Sequence, residues 1–252
     1  MNTEVKSAAR MLDLLEYLAG CPEPVRLKEI VAALGFPKSS AHALAQTLVS
    51  RGYAIQDAAE RYVLVHASRH RSATRANEAR LLSAAHPIME QLRDRSGETA
   101  ILVVRTTRGE TKRLAKCVSR QAIRFDIELD GQSESYCTAT GRLLLAHWDS
   151  AQANAYLARV PLIARTPRTV VEPDAIREIF RSIRETGVSI CDEEHVIGST
   201  GLAAPIRGRD GTVVAALNLG VVTTRYRERS VDLIEMLRDA AGQISKRLGF
   251  DG

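Results

Sequence analysis

The sequence predicts an α+β protein in two parts. A winged helix-turn-helix domain over residues 1–66 precedes an α+β domain over residues 81–252, with a linker helix over 67–80. Three observations predict this. Leu27, Ile30, Val31 and Leu34 fall at i, i+3, i+4 and i+7, Gly35 and Pro37 follow, and Ala41, Leu44, Ala45, Leu48 and Val49 repeat the helical period, which is the pattern of a helix-turn-helix. Two short β-prone runs at 53–55 and 61–64 flank a polar turn directly behind it, as in the hairpin of a winged-helix domain. From Leu81 onward, helix and strand patterns alternate irregularly without a repeat, which suits a mostly antiparallel sheet with helices packed on it.

Taken in order, Ser7 is placed to cap a first helix with Met11, Leu12, Leu15 and Leu18 on its apolar face. Residues 21–24 (Cys-Pro-Glu-Pro) break that helix. In the helix-turn-helix, Gly35 tolerates the left-handed helix end and Pro37 presets the start of the next helix. The outer face of that second helix carries Ser39, Ser40, His42, Ala43, Gln46 and Ser50, small and polar groups able to approach a base edge. Helix-turn-helix pairs also serve as plain packing units, and the wing is what favours DNA. Lys6, Arg10, Lys28, Lys38, Arg51 and Arg61 are the local cations for phosphate, with Lys28, Lys38 and Arg61 flanking the recognition face, and the Gln46 amide suits adenine.

The segment 67–80 carries Ser68, Arg69, His70, Arg71, Ser72, Arg75, Asn77, Glu78 and Arg80 with few apolar residues, and reads as a solvated helical linker. Leu81, Leu82, Ala85, Ile88, Met89 and Leu92 then form a helix face, with Pro87 expected to start or kink a turn and Gly97 to end it. Strands are expected at 100–104 and 112–118 around a turn at 108–110, and again at 122–129, where Ile123, Phe125, Ile127 and Leu129 alternate. A polar loop at 131–136 leads to a helix opened by Thr138-Ala139-Thr140-Gly141. Free N–H groups at such a start suit an anion, although an ordinary capped helix has the same sequence. Further helices follow at 151–158 and after Pro173, the second ended by Gly187. Strands are expected at 188–191, 202–206 and 212–222, then a last helix lined by Leu233, Leu237, Ala240, Ala241, Ile244 and Leu248. In the strand at 212–222, alternation puts Ala216, Asn218 and Gly220 on one face; the Asn218 amide there must meet a protein group or a cavity.

Composition sets outer bounds. The chain has 252 residues, 45% hydrophobic, enough for a buried core, and only 4% aromatic, which argues against a base-stacking single-strand binder. Net charge is +5, but residues 1–66 are neutral with seven basic and seven acidic residues, so any phosphate contact must come from local placement. No apolar run approaches eighteen residues, no signal peptide is visible, and a cytoplasmic protein is expected. Cys21, Cys117, Cys137 and Cys191 are too widely spaced for a zinc ribbon, and reduced thiols are expected. A rival reading is an enzyme. Cys191 and His195 form a candidate nucleophile and base, and Asp192, Glu193, Glu194 and His195 a candidate metal cluster. Three or four converging ligands are not evident from the spacing, and no catalytic residue, metal or cofactor is assigned.

Several motifs in order along the chain resemble the IclR-type bacterial transcriptional regulators. They are Ser7-x-x-Arg10-x-Leu12, Gly35-Phe36-Pro37-Lys38-Ser39-Ser40-x-His42, His86-Pro87, Ala139-x-Gly141-Arg142-x-x-Leu145-Ala146, and a long match from Gly187 to Ala216. The resemblance implies a ligand-responsive, sequence-specific regulator: a homodimer or homotetramer on double-stranded operator DNA, with a GAF-like domain for a small organic or aromatic acid. The DNA contacts expected from the helix face and its flanking cations are Lys28, Lys38, Ser39, Ser40, His42, Ala43, Gln46 and Arg61, and the resemblance places Lys38 to His42 at the entry to the recognition helix. It implies an effector pocket at Ala139, Thr140, Cys191, Gly201, Asn218 and Gly220, with Ala122 and Phe125 as its apolar wall. The chain departs from the family pattern. Cys191 stands where Asp is common, Gly201 where Cys is common, and Asn218 and Gly220 where Ser is common. Ala43 stands where Arg follows the His, so neither ligand nor operator transfers by analogy.

Overall fold

The computed structural model describes residues 5–21, 23–57, 59–64, 66–130 and 134–251, with 66–76 described by their helical backbone alone. The expectations for Pro22, Ala58, residues 131–133 and the side chains of Ser68, Arg69, His70, Arg71, Ser72 and Arg75 therefore lie outside the described residues. Two compact units meet in sequence between Ala79 and Arg80.

In the first unit, α1 (Lys6–Gly20) starts one residue before Ser7, with Val5 at the N-cap and no side-chain cap. Leu14 and Leu18 are its buried residues; Leu12 is 59% exposed, because it lies beside the stripe set by the 14/18 pair. A two-residue strand β1 (Val25–Arg26) leads into α2 (Leu27–Leu34). The Arg26 N–H donates to the Glu29 carboxylate at 2.6 Å, satisfying an amide at the helix start. Gly35 closes α2 at φ 65°, and α3 (Lys38–Ser50) begins straight after Pro37. The wing is β2 (Ala54–Gln56) and β3 (Arg61–Leu64), antiparallel, with β1 on the other edge of β3. Leu14, Leu18, Ile30, Phe36, Ala41, Ala45, Leu48 and Tyr62 share one core.

In place of a linker helix and a separate helix from Leu81, one helix α4 (His66–Ser96) runs through both, Pro87 included. Pro87 and Ser83 are both exposed, so the Ser83 carbonyl that loses its N–H partner reaches water, while Leu81, Ala85, Ile88, Met89 and Leu92 bury the opposite face. The second unit is a five-stranded antiparallel sheet of β4 (Thr99–Arg105), β5 (Thr111–Cys117), β6 (Ser189–Asp192), β7 (Ser199–Arg207) and β8 (Val213–Val222), ordered β5-β4-β8-β7-β6. On one face, Leu102, Leu202, Leu217 and Leu219 pack with Ala85 and Met89 of α4 and Leu233, Leu237 and Ile244 of α8 (Thr223–Arg247). On the other, Ile101, Val103, Ala203 and Ala216 pack with α5 (Ala139–Ala146), α6 (Ser150–Arg159) and α7 (Pro173–Thr186).

The strand expected at 122–129 does not form. The segment has no ladder partners and is held by side chains instead. Thr99 Oγ1 donates to the Phe125 carbonyl at 2.5 Å, Lys116 Nζ to the Ile127 carbonyl at 2.8 Å, and Arg113 to the Glu128 carbonyl at 2.9 Å. Alternation survives because any extended chain lying on a core turns every second residue inward; Ile123 is nevertheless 73% exposed.

Candidate functional site

Two surfaces carry the residues singled out from the sequence. The first is α3 with the wing. Lys38, Ser39, His42 and Ala43 are exposed, as is Lys28 on α2; Ser40 and Gln46 are half-buried. The Thr47 hydroxyl folds back onto the Ala43 carbonyl at 2.8 Å, and Ser50 onto Thr47 at 3.0 Å, leaving a low, largely uncharged ridge. Gln46 is not a free reader. Its Nε2 donates to Gln56 Oε1 at 2.9 Å and to Tyr62 OH at 3.3 Å, tying the helix to the wing. A bidentate grip on adenine needs that same NH₂ as donor, so the adenine role expected from the amide type does not fit this geometry. Arg61 is likewise engaged: Asp57 accepts from its guanidinium at 2.8 Å. The Arg61 amide first, and then its guanidinium, hold the Asp57 carboxyl below the usual range.

The second surface is a cavity of about 130 Å³ between the sheet and the start of α5. Phe125, Ala139, Thr140, Cys191, Gly201, Asn218 and Gly220 line it; Ala122 does not, and is exposed on the extended segment instead. Thr138 caps α5, its Oγ1 accepting from the Gly141 N–H at 3.3 Å, and among the described residues the Ala139 and Thr140 amides have no acceptor. Those two N–H groups and the helix dipole give this end a partial positive charge. A Cβ on Gly201 would stand 3.3 Å from the Ala139 Cβ and crowd this end of the cavity, while one on Gly220 would stand 2.2 Å from the Phe125 ring, so Gly220 lets that ring lie flat on β8. Asn218 is 8% exposed, and the amide orientation that suits its neighbours sets Nδ2 3.0 Å from the Leu202 carbonyl and Oδ1 3.3 Å from the Gly220 N–H. The backbone thus satisfies one donor and one acceptor of the buried amide. Its remaining capacity faces the cavity.

Sequence reasoning missed Ile101, Val103, Arg113, Ile127, Val196 and Ser199 as lining residues. Ile101 and Val103 alternate within a strand that was recognised. Arg113 reaches the cavity only because its strand pairs it with Val103, a register no local pattern encodes. His195 also lines the cavity, and the burial of its ring, with Arg165 and Arg113 nearby, pushes its pKa down, so it is neutral at pH 7.

The Cys191–His195 pairing is not made. The Cys191 thiol donates to the Cys137 carbonyl at 3.0 Å, and the His195 ring instead stands 4.0 Å from the Cys137 sulfur. Burial pushes the Cys191 thiol up to about 12 and the Cys137 thiol up to about 11, leaving both as thiols rather than thiolates. The acidic run is spent elsewhere. Asp192 meets Arg168 and Thr200, Glu193 meets Arg168 and the Gly198 N–H, and Glu194 meets Arg142. Glu134, Cys137 and His195 do converge within 4.8 Å, and Arg165 pairs with Glu134.

Residues 7–58 match the family described as IclR helix-turn-helix domain, and residues 73–246 the one described as Bacterial transcriptional regulator IclR C-terminal. The chain is 27% identical to the Transcriptional repressor IclR of Escherichia coli (strain K12), covering 98% of this chain and 91% of that protein. It is 29% identical to the Glycerol operon regulatory protein of Streptomyces coelicolor, covering 99% and 98%. Among solved structures it is similar to an IclR homologue from Microbacterium hydrocarbonoxydans complexed with 4-hydroxybenzoate, at 25% identity, covering 96% of this chain and 98% of that one with a TM-score of 0.64. A ligand-responsive DNA-binding regulator with a winged helix-turn-helix and a C-terminal α+β domain is what these matches describe. The chain belongs to the IclR family of bacterial transcriptional regulators.

Proposed function

We propose that the cavity at the start of α5 is the effector site, that its ligand is a small organic or aromatic acid, and that occupancy changes affinity for a double-stranded operator. One observation carries the reading: two acceptor-free amides at a helix N-terminus open into a mostly apolar cavity. The carboxylate lies at Ala139 and Thr140, Asn218 and Ser199 offer polar contacts, and Phe125 and Gly220 set the width. On DNA, Lys28, Lys38 and Arg61 meet phosphate, and Ser39, Ser40, His42 and Ala43 approach base edges; Gln46 holds the wing.

Residues 1–66 and 81–252 act as the DNA-binding and effector domains, with 67–80 as the linker within α4. The protein works as a homodimer or homotetramer, since one recognition helix reads too few base pairs for a genomic address. It acts in the cytoplasm as a regulator rather than an enzyme, a reading supported by its likeness to transcriptional regulators; among the described residues no helix is long and apolar enough to cross a membrane. Thermal shift against a panel of carboxylates tests the site, because a ligand of the native state raises the melting temperature by mass action. At least one compact carboxylate is expected to do so in the parent and not in Gly201→Val, whose side chain fills the cavity beside Ala139. Equal shifts in both proteins contradict the assignment.

A further inference from the structure

One wall of the cavity is anchored where α4 passes into the sheet. Phe125 lies against Gly220 of β8, and Gly220 pairs in register with Thr99, the first residue of β4. Thr99 Oγ1 donates to the Phe125 carbonyl at 2.5 Å and accepts from the Ser119 N–H at 3.0 Å; Ser119 Oγ donates to the Gly97 carbonyl at 2.5 Å. Gly97 and Glu98 alone separate Thr99 from Ser96, the last residue of α4. Phe125, which has no ladder partner, therefore takes its position from the α4–β4 junction.

The same junction is gripped from α8. Glu98 is 1% exposed, and Arg225 donates to its carboxylate with Nε at 2.5 Å and Nη2 at 2.8 Å. Arg225 Nη2 also donates to the Ile123 carbonyl at 3.1 Å, so one guanidinium holds both the end of α4 and the segment that carries Phe125. Arg229 Nη1 donates to the Ser96 carbonyl at 2.9 Å, satisfying an acceptor that α4 leaves open at its end. Arg229 is also where α8 leaves helical geometry, at φ −129° and ψ 23°, so residues 223–228 form a short piece of their own directly behind β8. A two-pronged ion pair fixes orientation as well as distance. On its far side stands α4, one continuous helix from Ser96 back to His66.

Resting on the effector site proposed above, we infer that Glu98 and Arg225 are positioning residues for the ligand response: they transmit a shift of the Phe125 wall to the end of α4, the helix that leads to residues 1–66. A ligand pressing on Phe125 displaces the 123–125 segment, and Arg225 carries that displacement to Glu98 and the last turn of α4.

Gly220→Ala supplies the push without a ligand, because its Cβ would stand 2.2 Å from the Phe125 ring, which must move. Phe125→Ala removes the wall side chain instead. Each is made in the parent and in a chain carrying Glu98→Gln with Arg225→Met, which loses the bridge without burying a lone charge. Hydrogen exchange of the full chain, followed by mass spectrometry over residues 88–98, reads the end of α4. At least one of the two substitutions is expected to change that exchange about threefold or more in the parent and less than about 1.5-fold in the bridgeless chain, as coupled sites do in a double-mutant cycle. Equal changes in both backgrounds make the pair merely structural and overturn the inference, as does exchange unmoved by either substitution. Should the bridgeless chain fail to fold, Arg225→Lys, which keeps the charge and loses the two-pronged grip, goes through the same cycle with the same readings. A failed cycle leaves the effector site standing. A successful cycle with no carboxylate raising the melting temperature keeps the link and removes the effector reading.

Discussion

Arg142 is 1% exposed, and its charge is met by a two-pronged pair with Glu194. Glu194 also accepts from the Val170 N–H at 3.0 Å, while its own carbonyl accepts from Thr169 at 2.5 Å. The pair fastens α5, whose start opens into the cavity, to the loop that carries His195. Glu194→Gln leaves a guanidinium uncompensated in the interior, with an expected loss of about 3–5 kcal/mol in denaturant unfolding. A loss under about 1 kcal/mol would mean that water reaches the pair freely. Gln46 makes a second residue-scale test. As a tether to Gln56 and Tyr62 it contributes roughly 1 kcal/mol. Gln46→Ala is therefore expected to weaken operator and random DNA alike in gel shifts. A loss confined to operator would restore it as a base reader.

At the scale of elements, α2, α3 and α7 were legible because their apolar period and end signals agree: Gly35 and Gly187 both adopt positive φ at the helix ends the sequence assigned them. The β8 alternation was legible for the same reason, with Leu217 and Leu219 on one face and Asn218 and Gly220 on the other. Three elements were not. β1 is two residues long, shorter than any period, and exists only through its pairing with β3. Residues 122–129 share the strand period, but their carbonyls go to Thr99, Lys116 and Arg113. Pro87 reads as a breaker, and the buried face of α4 overrides it. The α5 half of the cavity followed from the resemblance. The Arg113 half did not, since it depends on the register of β5 against β4. The α3 surface predicts a further result. Lys38 is exposed at the first helical residue, so Lys38→Ala should weaken all DNA sequences similarly and reduce the log–log salt slope by about 1. An unchanged slope would remove Lys38 from the phosphate contacts.

For the molecule as a whole, two half-buried histidines set a pH limit on the second unit. Burial lowers the pKa of His147, with Arg207 and Arg184 adding to it, and burial lowers that of His195, with Arg165 and Arg113 adding to it. Both are neutral in the folded chain at pH 7 and take up protons on unfolding below their ordinary value of about 6.5. The unfolded state then binds more protons, so stability is full above about pH 6.5 and falls as pH drops below it. Urea unfolding at pH 7.5 and 5.5 should show this loss, and His147→Gln should shrink it. A second unit equally stable at both values would contradict the burial of these rings.

Control of DNA binding by the α5 cavity is open to direct measurement. Operator affinity by fluorescence anisotropy is compared, with and without the carboxylate giving the largest thermal shift, for the parent and for Asn218→Leu. Asn218 lines the cavity on β8 and lies in the second unit, outside the helix-turn-helix. Asn218→Leu is expected to keep apo operator affinity within about threefold and to lose the response to the ligand. A variant that responds as the parent does would place the effector elsewhere.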